Sequence, residues 1–314
     1  MNQGQIPAPL KGIVPPLITP LTGRDQLDCA GLERLIEHVL AGGVHALFLL
    51  GTTGEAPSLS YRLRQEIVQR ACRQVQGRVP VLVGITDTAF VESVRMARYA
   101  AEAGAQGVVL APPYYFPAGQ EELLEYLQHL TPELPLPLYI YNMPSHTKLV
   151  FEPDTVRRAL DIPGLAGLKD SSGNMVYFHR LQRLLAGRPE FTLLVGPEEL
   201  LGEAVMLGGH GGVNGGANLF PRLYVTLYEA AVAGARDRVE ELHAVVMAIS
   251  DTIYSTGRHG SSFMKGLKCA LALEGICEDF MAEPFHRFRD AERRRIGGYL
   301  EEIKQLLRRV GLPG

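Results

Sequence analysis

The first two-thirds of the chain repeats one pattern of apolar and polar positions. A short β-branched apolar run is followed by a cluster of Gly, Pro, Ser or Thr, and then by a segment with apolar residues at i, i+3, i+4 and i+7. The runs predict eight strands, at 12–18, 45–50, 79–85, 107–111, 136–141, 165–169, 191–195 and 211–214. The segments between and after them predict helices at 30–41, 60–76, 90–103, 120–130, 153–160, 175–185, 198–207 and 220–233. Strands that are apolar throughout, rather than alternating, are covered on both faces, and a helix after every strand makes the sheet parallel. A doubly wound open sheet would show G-x-G-x-x-G after its first strand, and none stands there. Eight strand-helix units in residues 1–233 match an α/β fold of the closed (β/α)8 (TIM) barrel type. Past residue 233 the strand pattern stops, and 236–250, 261–273 and 284–310 read as three amphipathic helices, with Gly257 and Gly275 as stops. The expected organisation is a barrel carrying the active site (1–233) and a C-terminal three-helix extension (234–314).

Composition narrows the function. The 314 residues carry 31 Lys and Arg against 34 Asp and Glu, a formal charge of −3, which lacks the clustered positive charge of a nucleic-acid surface. No apolar stretch reaches the roughly 18 residues that cross a bilayer, and MNQGQIPAPLKG has no apolar secretory core, so no membrane partner and a cytoplasmic location are expected. Cys29, Cys72, Cys269 and Cys277 have neither C-x-x-C spacing nor the density of a disulfide framework and read as reduced, space-filling thiols. His38, His45, His129, His179, His210, His243, His259 and His286 show no H-x-H or H-E-x-x-H spacing, so no metal site is expected, and no nucleotide fingerprint implies a cofactor.

Barrel active sites lie at the C-terminal ends of the strands, so the residues that leave each run carry the chemistry. Lys169 ends the apolar run LAGLK. Desolvation in a barrel mouth favours the neutral, nucleophilic amine, which attacks ketones to form an imine that acts as an electron sink. A structural ion pair with Asp170 is the alternative use of such a lysine. Tyr141 ends the neighbouring run and offers a phenol for proton transfer, or an amphipathic cap on the core. The turn Gly51-Thr52-Thr53-Gly54-Glu55 supplies hydroxyls and backbone N–H groups that suit a small carboxylate, or simply begins a helix. The Gly-rich HGGVNGG segment fits a close substrate approach, a tight barrel corner or, less well, a phosphate cradle.

Taken together, GTTGE after strand two, PPYY after strand four, YNMP after strand five and GLKDSSGN after strand six are far more specific than their parts. In this order and spacing they resemble the dihydrodipicolinate synthase and N-acetylneuraminate lyase family of class I aldolases, from GIVPPLITPL to FMKGLKCALALEG. The resemblance implies that Lys169 forms a Schiff base with pyruvate or another 2-oxo acid, that Tyr141 shuttles protons, and that Thr52 and Thr53 hold the carboxylate and join the relay. It implies that Tyr115 reaches into a neighbouring subunit's site, within a homotetramer built of tight dimers. Gly51 belongs to the carboxylate loop, and Gly196 and Val213 fall where the family lines its pocket with backbone and a small apolar side chain. No cofactor is implied, and the partners are small molecules.

Two positions depart from the pattern: Phe116 stands where Asn is common, and His146 stands where the synthases carry a carboxylate-gripping arginine. A largely neutral imidazole lacks the bidentate fork of guanidinium. Lys148 offers a point charge in compensation, His146 offers a contact to sugar hydroxyls, and an exposed loop histidine is the third reading. This tilts the expectation toward a 2-keto-3-deoxy sugar acid or hydroxy-2-oxo acid, with lysine-biosynthetic dihydrodipicolinate synthase and a non-catalytic 2-oxo-acid-binding relative as alternatives.

Overall fold

The computed structural model describes residues 6–313. Eight parallel strands form the sheet: β1 (Gly12–Ile13), β2 (Leu47–Leu49), β3 (Val81–Gly84), β4 (Gly107–Leu110), β5 (Leu138–Asn142), β6 (Leu165–Asp170), β7 (Thr192–Val195) and β8 (Gly211–Gly212). From β2 to β8 each pairs with its neighbour in sequence, and β8 returns to pair with β1. The expected strand at 12–18 stops early because Pro15 and Pro16 have no N–H to donate. The ring still closes there, since the Leu17 N–H donates to the Phe48 carbonyl at 2.8 Å and the Phe48 N–H donates to that of Pro15 at 3.0 Å.

The closure explains the shortest strand. Gly12 and Gly211 are register partners, Gly12 has φ +98°, and a Cβ on Gly211 would run into the Gly12 backbone. Further along, a Cβ on Gly212 would meet Leu201 and one on Gly215 would meet Phe263. The Gly-rich segment is a tight corner at which protein groups approach the backbone closely.

Strand pleating sorts the apolar runs into two cores. Leu47, Leu49, Leu138, Ile140 and Leu168 face the helices, whereas Phe48, Leu82, Val109, Tyr139, Tyr141 and Leu194 fill the interior. Eight helices cover the outside: α1 (Cys29–Ala41), α2 (Tyr61–Val75), α3 (Phe90–Glu102), α4 (Gln120–Leu130), α5 (Pro153–Ala159), α6 (Met175–Leu185), α7 (Leu201–Met206) and α8 (Pro221–Val232). Side chains cap several of them: Asp28 accepts from the Gly31 N–H at 2.8 Å and Asn174 from the Tyr177 N–H at 3.1 Å. The helix expected at 198–207 begins instead as a tight 3₁₀ turn, Glu198–Leu200. A small antiparallel pair, Leu21–Gly23 with Gln26–Leu27, is additional to the expected elements.

Three further helices follow: α9 (Arg236–Ile249), which widens into a π turn at Ser250–Tyr254, α10 (Ser262–Leu273) and α11 (Asp290–Arg309). The helix expected from 284 starts at Asp290: Pro284 lies in a turn and 285–289 are irregular, with Pro284 and Phe285 lining a cavity at the barrel mouth. These helices sit on the barrel rather than apart from it. Lys268 of α10, 1 % exposed, forms an ion pair with Glu55 at 2.5 Å and donates to the Phe280 carbonyl at 2.7 Å. Glu55 also accepts from the Ala282 N–H at 2.8 Å. Breaking a buried pair from one side strands the other charge, at a cost of about 3–5 kcal/mol. Lys268→Met is therefore expected to lower unfolding free energy by about that amount in a urea titration. Adding Glu55→Leu should restore part of the loss, and a Lys268→Met variant of unchanged stability would remove this contact from the fold's support.

Candidate active site

The strands' C-terminal ends enclose a cavity of about 240 Å³, lined by Lys169, Tyr141, Thr52, Thr53, Gly196 and Val213 among others. It adjoins a more apolar one of about 390 Å³ that includes Gly51, Tyr114 and Phe285, and both share Thr52, Tyr141, Met143, His146 and Met264. Seven of the residues singled out from strand ends and turns, His146 included, are thus brought to one cavity, and Gly51 lines the adjoining one.

Lys169 owes its position to the pleat. It shares the inward parity of Gly167, and it is the register partner of Tyr141 on β5. Asp170 points the other way, where it accepts from Asn142 Nδ2 at 2.8 Å and from the Ser172 N–H and hydroxyl at 3.0 Å each. Burial raises the Asp170 pKa despite those bonds. No ion pair joins Lys169 to Asp170 among the described residues, so the structural alternative for the lysine is not the arrangement found. The Lys169 ammonium stands 4.0 Å from the Tyr141 ring centroid and 5.4 Å from that of Phe48, both cation–π distances.

The Tyr141 hydroxyl lies 3.5 Å from Thr52 Oγ1. Burial pushes the phenol's pKa up. The Lys169 charge and hydrogen bonds with Thr52, Ser171 and Lys169 push it down and outweigh burial, leaving it below the ordinary tyrosine value. The phenol proton is lost more readily here than from free tyrosine.

The 51–55 turn is shaped from beneath and behind. A Cβ on Gly51 would press on the Phe48 ring at 2.8 Å, so glycine lets the loop descend to the aromatic floor. The Gly54 and Glu55 N–H groups close onto the Gly51 and Thr52 carbonyls at 3.1 and 3.0 Å. Thr19 holds the Gly54 carbonyl at 2.7 Å, and Glu55, in the left-handed region at φ +57°, anchors the loop to Lys268.

His146 sits on the short helical turn Pro144–Thr147, with Nδ1 2.9 Å from the Ser145 hydroxyl. Partial desolvation, then the nearby Lys148 and Lys169 charges, lower its pKa and favour neutral imidazole. Lys148 turns its ammonium onto the Ser145 carbonyl at 2.9 Å, away from the role of a substrate cation. Tyr115 is not brought to its own chain's cavity. It is 77 % exposed on the loop after β4 and stacks edge-on with Phe116 at 5.0 Å.

Several groups in the wall were not signalled by strand ends. Phe48 is the aromatic floor. Tyr254, Phe263 and Met264 come from the region after residue 233, and Glu199 from the turn after β7, one place past the Glu198 that the seventh run leads into. Among the described residues, no group of three or more His, Cys, Asp or Glu side chains is placed to hold a metal ion. No helix is long and apolar enough to cross a membrane. The four cysteines are free, and burial pushes the Cys72 and Cys269 thiols up to about 11 and the Cys277 thiol up to about 12, away from thiolate reactivity.

The model of the Dihydrodipicolinate synthetase family matches residues 9–303. A solved dihydrodipicolinate synthase from Bacteroides thetaiotaomicron is 57 % identical with a TM-score of 0.92, over 94 % of this chain and 99 % of that one. An uncharacterized DapA-like lyase of Halobacterium salinarum is 31 % identical over 297 residues, 95 % of each chain. YagE of E. coli K12, a family protein solved in complex with pyruvate, is 28 % identical with a TM-score of 0.88, over 94 % of this chain and 98 % of YagE.

Phe48 supports both the loop and the lysine, so Phe48→Ala should cost about 3–5 kcal/mol in chemical denaturation, in line with other buried aromatic truncations. At temperatures where the variant stays folded, amine reactivity at Lys169 should also change. Wild-type stability together with wild-type reactivity would show that the ring supports neither.

Proposed function

The chain belongs to the dihydrodipicolinate synthetase family, an enzyme family of class I lyases and aldolases, and on that footing we propose that it joins or cleaves a 2-oxo acid and a hydroxylated aldehyde through a lysine imine. The single observation that carries this is Lys169 standing over the Tyr141 ring, with the phenol near Thr52, at the mouth of a filled barrel. The Lys169 amine adds to C2 of pyruvate or a related 2-oxo acid, and loss of water from the carbinolamine gives the iminium. Loss of a C3 proton then gives an enamine, whose C3 bonds to the aldehyde carbon; the reverse sequence cleaves that bond. Tyr141, with its lowered pKa, passes protons to and from these oxygens, and Thr52 and Thr53 hold the carboxylate. Gly196 and Val213 bound the pocket beside C3. The pyruvate bound in YagE supports the same first substrate here.

The second half of the site favours hydroxyl groups over another carboxylate. Its wall carries neutral His146, the Ser171 and Tyr254 hydroxyls and two glutamates, and Lys148 is turned away. A 2-keto-3-deoxy sugar acid or hydroxy-2-oxo acid fits such a wall, and a C–O lyase step could use the same imine. The name of the 57 % identical relative supports the alternative of dihydrodipicolinate synthase, which uses aspartate semialdehyde. Exposed Tyr114, Tyr115 and Phe116 support assembly in which Tyr115 completes a neighbouring site within a tetramer. A cytoplasmic location accords with the absence of a membrane-spanning helix among the described residues.

Borohydride with pyruvate should trap one adduct at Lys169, and Lys169→Ala should abolish both adduct and turnover. Trapping at another lysine, or none, would overturn the imine reading. Tyr141→Phe should lower kcat by about 10²–10⁴ while the fold is kept, the usual worth of a positioned acid–base group. His146→Arg introduces a bidentate carboxylate partner, so kcat/KM for aspartate semialdehyde relative to a neutral hydroxyaldehyde should rise about tenfold or more. A wild-type enzyme that prefers aspartate semialdehyde over an aldehyde panel would assign the synthase instead.

A further inference from the structure

Two glutamates stand side by side in the wall of the cavity to which the proposed function brings an anion. Glu198 and Glu199 follow Gly196 and Pro197 and line the same enclosure as Lys169. Glu199 is tied to the Ser250 hydroxyl at 2.5 Å. Glu198 is only 4 % exposed and collects three donors: the Gly216 N–H on Oε2 at 2.8 Å, the Tyr254 phenol on Oε1 at 2.8 Å, and the Tyr224 phenol on the same oxygen. The titratable groups facing it are Glu199 beside it, Tyr224 from α8 and Tyr254 from the π turn after α9, with Lys169 and His146 sharing the cavity. No cation pairs with Glu198 among the described residues.

Burial works against the charged carboxylate, and so does the neighbouring Glu199 charge; the three donors favour it. The balance leaves the carboxyl with a pKa of about 7, poised where a modest change of field alters its proton occupancy. A ligand carboxylate entering the same enclosure is such a change, because a further negative charge across it favours the neutral form of whichever group can take a proton. Protonation is also sterically cheap here. A phenol hydroxyl that donates to the carboxylate can turn and accept from the acid, since each phenol oxygen is both donor and acceptor.

Resting on the imine reading above, we infer that Glu198 takes up a proton when a carboxylate-bearing 2-oxo acid fills the cavity, so that the acidic side of the wall is neutralised as the anion enters. Pyruvate binding to the full chain is the test, by calorimetry at pH 6 and pH 8 in buffers of different ionisation heat, with borohydride trapping alongside. A rise of one unit in the Glu198 pKa on binding makes pyruvate about fivefold tighter at pH 6 than at pH 8. Glu198→Gln keeps the shape and removes the titration, so it should lose that fivefold ratio and its share of the proton uptake. Tyr254→Phe removes one donor to the carboxylate and should move the midpoint of the affinity profile to higher pH. A Glu198→Gln variant that keeps the wild-type ratio and proton uptake overturns the inference. So does a Tyr254→Phe midpoint that stays in place or falls, which decides the matter alone if Glu198→Gln does not fold. A borohydride adduct with pH-independent pyruvate affinity refutes the proton uptake only, whereas no adduct at either pH refutes the imine reading and this inference with it.

Discussion

Tyr141 and Lys169 are register partners on adjacent strands, and much of the site follows from that single pairing. Pleating sends both side chains into the barrel at the same height, at the end where the strands open to solvent. The ammonium lowers the phenol's pKa and the rings support the ammonium, so each group's chemistry is set partly by the other. Asp170, one residue on, is thrown to the opposite face and satisfied by Asn142 and Ser172, which leaves the lysine unpaired with its neighbour in sequence. Below the pair the interior is filled by Phe48, Leu82, Val109, Tyr139 and Leu194, so the polar chemistry is confined to the mouth.

The 51–55 loop is held from two sides by unlike forces. Beneath it, the Phe48 ring sets how far Gly51 can descend. Behind it, Glu55 is clamped by Lys268 and the Ala282 N–H, contacts that join the second strand's loop to the last quarter of the chain. The C-terminal helices are therefore part of the site's architecture. They supply Tyr254, Phe263 and Met264 to the cavity wall and fix the loop through a charge pair whose loss would be costly. The resulting cavity is asymmetric: one side has the lysine and hydroxyls, and the other has two adjacent carboxyls.

The strand pattern made the barrel legible because all eight runs are buried on both faces, and a buried parallel strand needs an unbroken apolar sequence. It made Lys169 and Tyr141 legible because an ionisable or phenolic side chain ending such a run has nowhere to go but the mouth. Boundaries were less legible where backbone chemistry intervened: the prolines that cut the first strand and the glycines that let β8 touch β1. His146 could be seen as a departure, but its neutral state and the diversion of Lys148 onto a carbonyl depend on a turn whose geometry the residue order does not specify.

By itself the sequence determined the parallel barrel, the family and the residues that leave its strands, since local periodicity and short motifs encode these. Tertiary structure alone decided what stands opposite them. The Glu55–Lys268 pair, the phenols gathered on Glu198 and the cavity residues after position 233 meet across separations of roughly 26 to more than 200 residues. No pattern within one element specifies which distant side chains will share its low-dielectric surroundings. Burial and charge then fix the protonation of those groups, and so the character of the cavity wall they form.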